Sequence, residues 1–288
     1  MIQIGLRFHD SEEKPFEQRL ETVKNQGFSC IHIALKKTKG LPYETECLTP
    51  GYASWMREKL QEAGLSIAVL GCYLNLANPN RAKLSQIQDT YRAHLRFASL
   101  LGAEVVGTET GAPNETYTCE ESAHTQHALD LFISNLRPVV RDAERMGQII
   151  AIEPVAKHIV NTPKRARIVL DSIGSPNLQI IFDPVNLLDV NNVDHADEVL
   201  DEAMDLLGED IAIVHLKDFV RTGEGLAAVG CGQGEMDYSR IMEFLKEKKP
   251  YIQATLENTR PENAVSCREF IEKAYENAGR TAAPEKKP

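Results

Sequence analysis

The sequence predicts an α/β protein built as a single (β/α)8 (TIM) barrel, on three observations. Eight short apolar segments rich in Ile, Val and Leu alternate with eight longer segments of helical periodicity, which is the pattern of strand–helix units around a parallel sheet. The 288 residues suit one such barrel, which commonly occupies about 250 residues. The first predicted turn, residues 7–10, lacks the glycines that are typical of a doubly wound open sheet.

The predicted elements follow one another in eight pairs. We predict strands at residues 2–6, 28–35, 65–72, 104–109, 148–153, 178–183, 211–216 and 250–257. We predict helices at residues 13–26, 50–63, 82–101, 120–146, 162–174, 194–208, 237–247 and 261–278. Glycines 27, 64, 102, 147 and 174 follow five of the helices, where a left-handed residue typically ends a helix. We expect one catalytic domain over residues 1–280 and a polar C-terminal tail over residues 281–288.

Charge and composition narrow the class of partner. The formal net charge of −10 opposes binding to nucleic acid or to an anionic membrane surface, so we expect a small-molecule substrate. Six cysteines stand singly without a CxxC pair, which is typical of reduced thiols. The N-terminal segment lacks the pattern of a secretory signal, and no apolar run approaches 18 residues. These features predict a cytoplasmic protein.

The last four predicted strands end in side chains that bind metals, namely Glu153, Asp183, His215 and Glu257. The intervals of 30, 32 and 42 residues each span about one strand–helix unit, so the four side chains would come from adjacent strands. A single polar residue at a strand end is equally well explained by the strand emerging into solvent. Four in matching positions favour a shared site, because functional groups of this barrel lie at the carboxyl ends of its strands.

Three carboxylates and one imidazole form a borderline-hard ligand set with no thiolate. Such a set favours one divalent ion, with Mn2+ in first place and Mg2+, Co2+ or Zn2+ as alternatives. A divalent ion that binds a substrate carbonyl and its neighbouring hydroxyl acidifies the intervening C–H group. The sequence therefore predicts enediolate chemistry on a small sugar-like substrate.

The sequence resembles the xylose isomerase-like barrel superfamily, in particular its sugar phosphate isomerase/epimerase branch, over nearly the whole chain. The most specific segments are residues 152–154 (Ile-Glu-Pro), 182–186 (Phe-Asp-Pro-Val-Asn), 214–218 (Val-His-Leu-Lys-Asp), 232–237 (Gly-Gln-Gly-Glu-Met-Asp) and 256–258 (Leu-Glu-Asn). The resemblance to ketose 3-epimerases implies that the four strand-end residues bind the metal. It further implies that Glu153 and Glu257 form the acid/base pair, that Arg221 contacts the substrate and that the protein is a homodimer or homotetramer.

Two positions depart from the pattern of those epimerases. They usually carry a histidine three residues after the metal aspartate and a second glutamate six residues after the first, where this chain has Asn186 and Ile159. The departures count against epimerisation of a free ketose but leave the predicted metal site complete.

Several reactions are compatible with the predicted site. Removal of a proton by Glu153 and its return by Glu257 on the other face produces an epimer, whereas return at the next carbon produces an isomer. Expulsion of a β-hydroxyl would make the enzyme a cyclitol or keto-sugar dehydratase, which is the main alternative. A metal-dependent endonuclease would need more histidines and a basic groove, and a non-catalytic binding barrel would not need the four-ligand set.

Other polar residues are candidates for substrate contacts because they end or follow predicted strands. These are His158, Asn186, Lys217, Asn75 and Glu109. The neighbouring residues Lys217 and Asp218 are predicted to form a local ion pair beside the site. The glycine-rich segment 230–234 lacks the remaining residues of a nucleotide-binding loop and is predicted to be a flexible turn before the seventh helix.

Overall fold

A computed structural model describes residues 2–279 of the chain, and the tail predicted at residues 281–288 lies outside the described residues. The strands are β1 (Gln3–Arg7), β2 (Cys30–Ile33), β3 (Ser66–Gly71), β4 (Val105–Glu109), β5 (Ile149–Glu153), β6 (Leu178–Phe182), β7 (Ile211–Leu216), β8 (Asp218–Thr222), β9 (Gly225–Val229) and β10 (Gln253–Leu256). The helices are α1 (Phe16–Asn25), α2 (Pro50–Ala63), α3 (Arg81–Leu101), α4 (Gln126–Met146), α5 (Pro163–Ile173), α6 (Ala196–Leu207), α7 (Ser239–Lys248) and α8 (Ala264–Asn277).

Eight parallel strands close into a barrel in the order β1-β10-β7-β6-β5-β4-β3-β2, which confirms the predicted fold class. A small cluster that includes Val69, Val105, Ile181 and Ile213 fills its interior. The larger core lies between the strands and the surrounding helices. No helix among residues 2–279 is both long and apolar enough to cross a membrane.

Capping residues in the sequence explain where several helices begin and end. All five glycines predicted to follow helices have a positive φ, between 62° and 89°, a conformation that costs glycine no steric strain. The α5 helix begins with Pro163, while Thr162 accepts a hydrogen bond from the Arg165 amide as the N-cap residue. Such signals are local, and for this reason the predicted helix boundaries agree closely with the observed ones.

The segment after β7 differs from its prediction. Strands β8 and β9 form a separate antiparallel hairpin, for which we predicted no strands. Asp218 does not pair with Lys217: its buried carboxylate accepts backbone N–H groups of Phe219, Gly232, Gly234 and Met236 at 2.8–3.1 Å. The segment 230–234 does precede α7, but these bonds anchor it and make it a fixed turn.

Strand register determines which side chains meet at the carboxyl end of the barrel. Glu109 and Glu153 are partners in the β4–β5 register, so their side chains leave the sheet side by side. His215 lies opposite Thr255, two residues before Glu257, in the β7–β10 pairing. The barrel therefore brings residues far apart in sequence to one face, where the loops after the strands complete a cavity.

Candidate metal centre and active site

A cavity of about 420 Å3 opens at the carboxyl ends of the strands. Its lining residues are Arg7, His9, His32, Lys37, Tyr73, Glu109, Tyr117, Glu153, Val155, Lys157, Asn186, Lys217 and Glu257. Active sites of barrels with this topology lie at the same end. Two larger surface hollows lie elsewhere, one beside α7 and α8 and one at the amino ends of the strands, and neither contains any of the four predicted metal ligands.

The four predicted metal ligands converge at the bottom of this cavity. The Nδ1 atom of His215 lies 3.4 Å from Oε2 of Glu153 and 3.4 Å from Oε1 of Glu257. Ligand atoms of Glu153, Asp183 and His215 all lie within 4.8 Å of one another. All four side chains are buried, at 0–6% exposure. This arrangement has the donor types and spacing of a site for one divalent ion.

The unused hydrogen-bonding capacity of His215 supports the fit of a metal. Both ring nitrogens are buried and lack a hydrogen-bond partner within the described residues. An imidazole buried in this way would lose the hydrogen bonds that it makes in water. Coordination to a cation would satisfy the nitrogen that faces the carboxylates, so the donor set fits a divalent metal.

The carboxylates are oriented by different partners. Asn186 donates its side-chain N–H to Oε1 of Glu153 at 2.5 Å, which leaves Oε2 facing His215. Oε2 of Glu257 accepts a hydrogen bond from Lys217 at 3.2 Å and forms an ion pair with Arg7 at 3.1 Å, which leaves Oε1 facing His215. Each glutamate therefore presents one free oxygen to the centre.

The electrostatic environment changes the pKa of several members of the site. Burial alone would raise the pKa of Glu257, but Lys217, His215 and Arg7 hold it well below its usual range. Burial raises the pKa of Asp183 to about 6, although the Lys217 ammonium lies 2.7 Å from its Oδ2 atom and opposes that shift. Burial acts to lower the pKa of His215, yet the neighbouring carboxylates raise it overall. The cluster is thus one strongly interacting group of charges.

His32 is a member of the site that our sequence analysis missed. Its ring stacks on His215 with a centroid distance of 5.0 Å and an interplanar angle of 8°. Its Nδ1 atom lies 3.7 Å from Glu257, and its Nε2 atom is 2.8 Å from the Tyr73 hydroxyl. Burial and the nearby His215 lower its pKa well below the usual value, so the imidazole is neutral. The available signal was a lone histidine in the apolar segment that forms β2.

The opposite side of the cavity contains a second polar cluster. The Tyr117 hydroxyl donates to Glu109 at 3.1 Å, and the buried His158 lies 3.7 Å from the same carboxylate. Tyr117 has a φ of 60°, which is unusual for a bulky residue. The turn that carries it is stabilised by Asn114, which accepts the Thr118 amide. Glu109, His158 and Tyr117 are therefore placed beside Glu153, at the edge of the metal centre.

Three predicted substrate contacts, Asn75, Arg221 and His158, do not line the cavity, and the buried His158 reaches it only through its contact with Glu109. The Asn75 amide is buried and donates to the carbonyls of Ala112 and Asn114, so it holds the loop after β4. Arg221 lies on the exposed β8–β9 hairpin and pairs with Asp194 and Glu235. In contrast, the cavity lining includes three of the predicted substrate contacts: Lys217, Asn186 and Glu109. Arg221 was predicted near the site from its position six residues after His215. The β8–β9 hairpin, which was not predicted, places it outside the cavity.

Comparisons with known proteins agree with this architecture. A family model described as "Xylose isomerase-like TIM barrel" matches residues 20–274. A D-tagatose 3-epimerase-like protein superposes with a TM-score of 0.75 at 22% identity, covering 95% of this chain and 97% of that one. The IOLI protein, whose structure contains a bound zinc atom, has a TM-score of 0.75 at 18% identity with coverages of 97% and 100%. A probable 3-DHS dehydratase, AsbF, from Bacillus anthracis has a TM-score of 0.70 at 14% identity with coverages of 94% and 97%. Comparison with curated proteins finds no match.

Proposed function

Because the chain belongs to the xylose isomerase-like TIM barrel family, we propose that it is a divalent-metal-dependent isomerase or epimerase of a small sugar or sugar derivative. One observation carries the proposal: Glu153 and Glu257 each direct one carboxylate oxygen to within 3.4 Å of the same unpartnered His215 nitrogen. Two carboxylates that flank a metal-binding position beneath an open cavity are suited to moving a proton on a bound carbonyl compound. The epimerase-like relative supports this assignment.

The residues that would hold the metal are Glu153, Asp183, His215 and Glu257. The oxygen-rich set favours Mn2+, although the zinc atom of a relative makes Zn2+ an ion that must be tested. A divalent ion bound here would supply Lewis-acid polarisation of the substrate carbonyl. The buried position would strengthen that polarisation, because water does not screen charges there.

The protein residues would handle the proton. Glu153 would take the proton next to the carbonyl, while Asn186 holds its carboxylate in position through Oε1. In an epimerisation Glu257, itself protonated beforehand, would donate a different proton to the opposite face, and both carboxyl groups would then exchange protons with solvent. Glu109, beside Glu153, would contact substrate hydroxyls. Lys217 would hold the carboxylates of Asp183 and Glu257 in position through its contacts with both.

The unequal surroundings of the two glutamates favour a second candidate, a metal-dependent dehydratase. Arg7 and Lys217 contact Glu257 and keep its pKa low, so this carboxylate is a weak base and is rarely protonated. Glu153 has an amide neighbour instead. An elimination or an isomerisation can proceed with one carboxylate as the base, whereas a two-face epimerisation requires both to exchange protons. A dehydratase is also among the relatives.

The proposal is tested by metal content and proton exchange. The purified protein, reconstituted with Mn2+, is expected to contain one ion per chain, and His215→Ala is expected to contain almost none. His195→Ala, a histidine on the exposed surface, is the matched control and should retain the ion. In heavy water, the wild type should introduce deuterium next to the carbonyl of at least one member of a panel of ketoses, keto-sugars and cyclitol ketones.

The products distinguish the two candidates. An epimer or isomer that carries deuterium supports the first candidate, and loss of water from the substrate supports the dehydratase. A wild-type protein that binds no divalent ion after reconstitution would contradict both.

A further inference from the structure

The ammonium of Lys217 lies inside the proposed metal centre. Its Nζ atom is 2.7 Å from Oδ2 of Asp183 and 3.2 Å from Oε2 of Glu257. The side chain is only 7% exposed, so water contributes little to the solvation of its charge. Lys217 thus contacts two of the four predicted ligands directly.

The charges of the site explain why a cation lies there. Glu153, Asp183 and Glu257 bring three carboxylates into one buried cluster, and like charges at such short range repel each other strongly. Arg7 offsets this repulsion only in part, because its guanidinium is shared with Asp10 at 2.9 Å. Among the lysines and arginines of residues 2–279, Lys217 is the one whose ion pairs all lie within the ligand cluster.

The other lysines of the cavity are arranged differently. Lys37 and Lys157 are exposed at its rim, and no ion pair involves either of them within residues 2–279. Lys37 lies over the Tyr73 ring at 5.4 Å. These lysines add positive charge to the mouth without contacting a ligand, so they provide internal controls for charge alone.

We propose that Lys217 is a resident counter-ion of the metal centre. Its ammonium holds Asp183 and Glu257 in position when no metal is bound, and it weakens the binding of a divalent ion by repulsion. This inference rests on the proposed function to the extent that it takes the four ligands as the metal site. The consequence is a protein that folds with its site assembled in the absence of metal and holds its metal exchangeably.

The proposal makes two opposite predictions for Lys217→Met. The metal-free protein should become less stable, because Asp183 and Glu257 lose the cation between them. Metal binding should become tighter, because one positive charge near the ion is removed; a decrease in the Mn2+ dissociation constant of about tenfold or more is expected. A purely structural lysine would lower stability by the same amount with and without metal and would not tighten binding.

The experiment uses the full chain as wild type, Lys217→Met, Lys217→Gln and Lys37→Met. Thermal unfolding is measured with EDTA and with saturating Mn2+, and Mn2+ affinity is measured by calorimetry. In EDTA, the midpoint of Lys217→Met should fall by about 4 °C or more, and Mn2+ should restore most of that loss. Lys217→Gln keeps a hydrogen-bond donor without the charge and is the second variant in case Lys217→Met does not fold. Lys37→Met should match the wild type in both measurements.

Each outcome has a definite meaning. Unchanged or weaker Mn2+ binding by both Lys217 variants would overturn the proposal, as would wild-type stability of both in EDTA. A wild type that binds Mn2+ but exchanges no deuterium with any substrate contradicts the proposed function and leaves the role of Lys217 intact. Normal exchange by the wild type together with unchanged affinity in the Lys217 variants contradicts only the role of Lys217.

Discussion

Each side of the cavity contains one buried glutamate, but the groups that contact the two carboxylates differ. On the Glu257 side, formed by Arg7, His32, Lys217 and Glu257, two cations contact one carboxylate oxygen at 3.1 and 3.2 Å. On the Glu153 side, which includes His158 and Asn186, the carboxylate accepts a neutral amide N–H. Both glutamates are buried and both face His215. Their neighbours, rather than their burial, therefore distinguish them.

A glutamate pair that binds a metal and also acts as acid and base has two tasks, metal binding and proton transfer. The different contacts suit one glutamate to each task. A carboxylate held between cations stays ionised, which suits a metal ligand. The Glu153 carboxylate instead accepts an amide N–H and contacts no lysine or arginine within residues 2–279, which leaves it available as a base. We therefore expect Glu257 to contribute more to holding the site together and Glu153 to contribute more to moving the proton.

The largest expected effect separates the two glutamates. Glu153→Gln and Glu257→Gln should each lower the rate of deuterium exchange by about a thousandfold or more. Only Glu257→Gln should also destabilise the fold strongly, by about 3 kcal/mol, because Arg7 and Lys217 lose a buried partner. Exchange rates by NMR and urea unfolding of the metal-free proteins measure the two effects. Equal losses of stability in both variants would show that the two sides do not differ as described.

A smaller expected effect is the pH dependence of the free energy of unfolding that comes from His158, on the Glu153 side. Burial, with a contribution from Lys157, lowers the pKa of His158 to about 4, whereas an unfolded histidine titrates near 6.5. The unfolded chain therefore binds the proton first as the pH falls. The stability contributed by neutral His158 is fully present above about pH 6.5 and is lost progressively down to about pH 4.

Replacing His158 should remove this dependence. Between pH 7.5 and pH 5 the wild type should lose about 2 kcal/mol more stability than His158→Gln, as measured by urea unfolding at both pH values. His127→Gln, on the exposed surface of α4, is the control and should keep the wild-type pH profile. Parallel pH profiles for wild type and His158→Gln would contradict the assignment of a buried neutral imidazole.

The smallest effect tests whether the two sides make up the whole site. Arg221 pairs with Asp194 and Glu235 on the exposed hairpin, and exposed ion pairs contribute about 0–1 kcal/mol. Arg221→Ala should change kcat/KM less than about threefold once a substrate is identified. A loss of a hundredfold or more would show that the hairpin closes over the substrate and adds a third side to the cavity.

Much of the fold could be predicted from the sequence because its signals are local. The alternation of apolar and periodic segments and the glycines after the helices placed all eight barrel strands and eight helices close to their observed positions. The resemblance to the xylose isomerase-like family is confirmed. The hairpin after β7 was missed, because its strand Gly225–Val229 is followed by a glycine-rich segment that indicates a turn.

The sequence by itself also determined which polar residues lie at or next to the carboxyl ends of the last four barrel strands, since a polar side chain that interrupts an apolar segment is visible without a structure. Only the tertiary structure decided what those side chains contact. His32, on β2, stacks on His215 in the site. Lys217 contacts Asp183 and Glu257 and not its neighbour Asp218. Spacing along the chain specifies strand ends, but barrel closure specifies distances between strands. Charge partners follow those distances, and they are therefore not encoded in any local pattern.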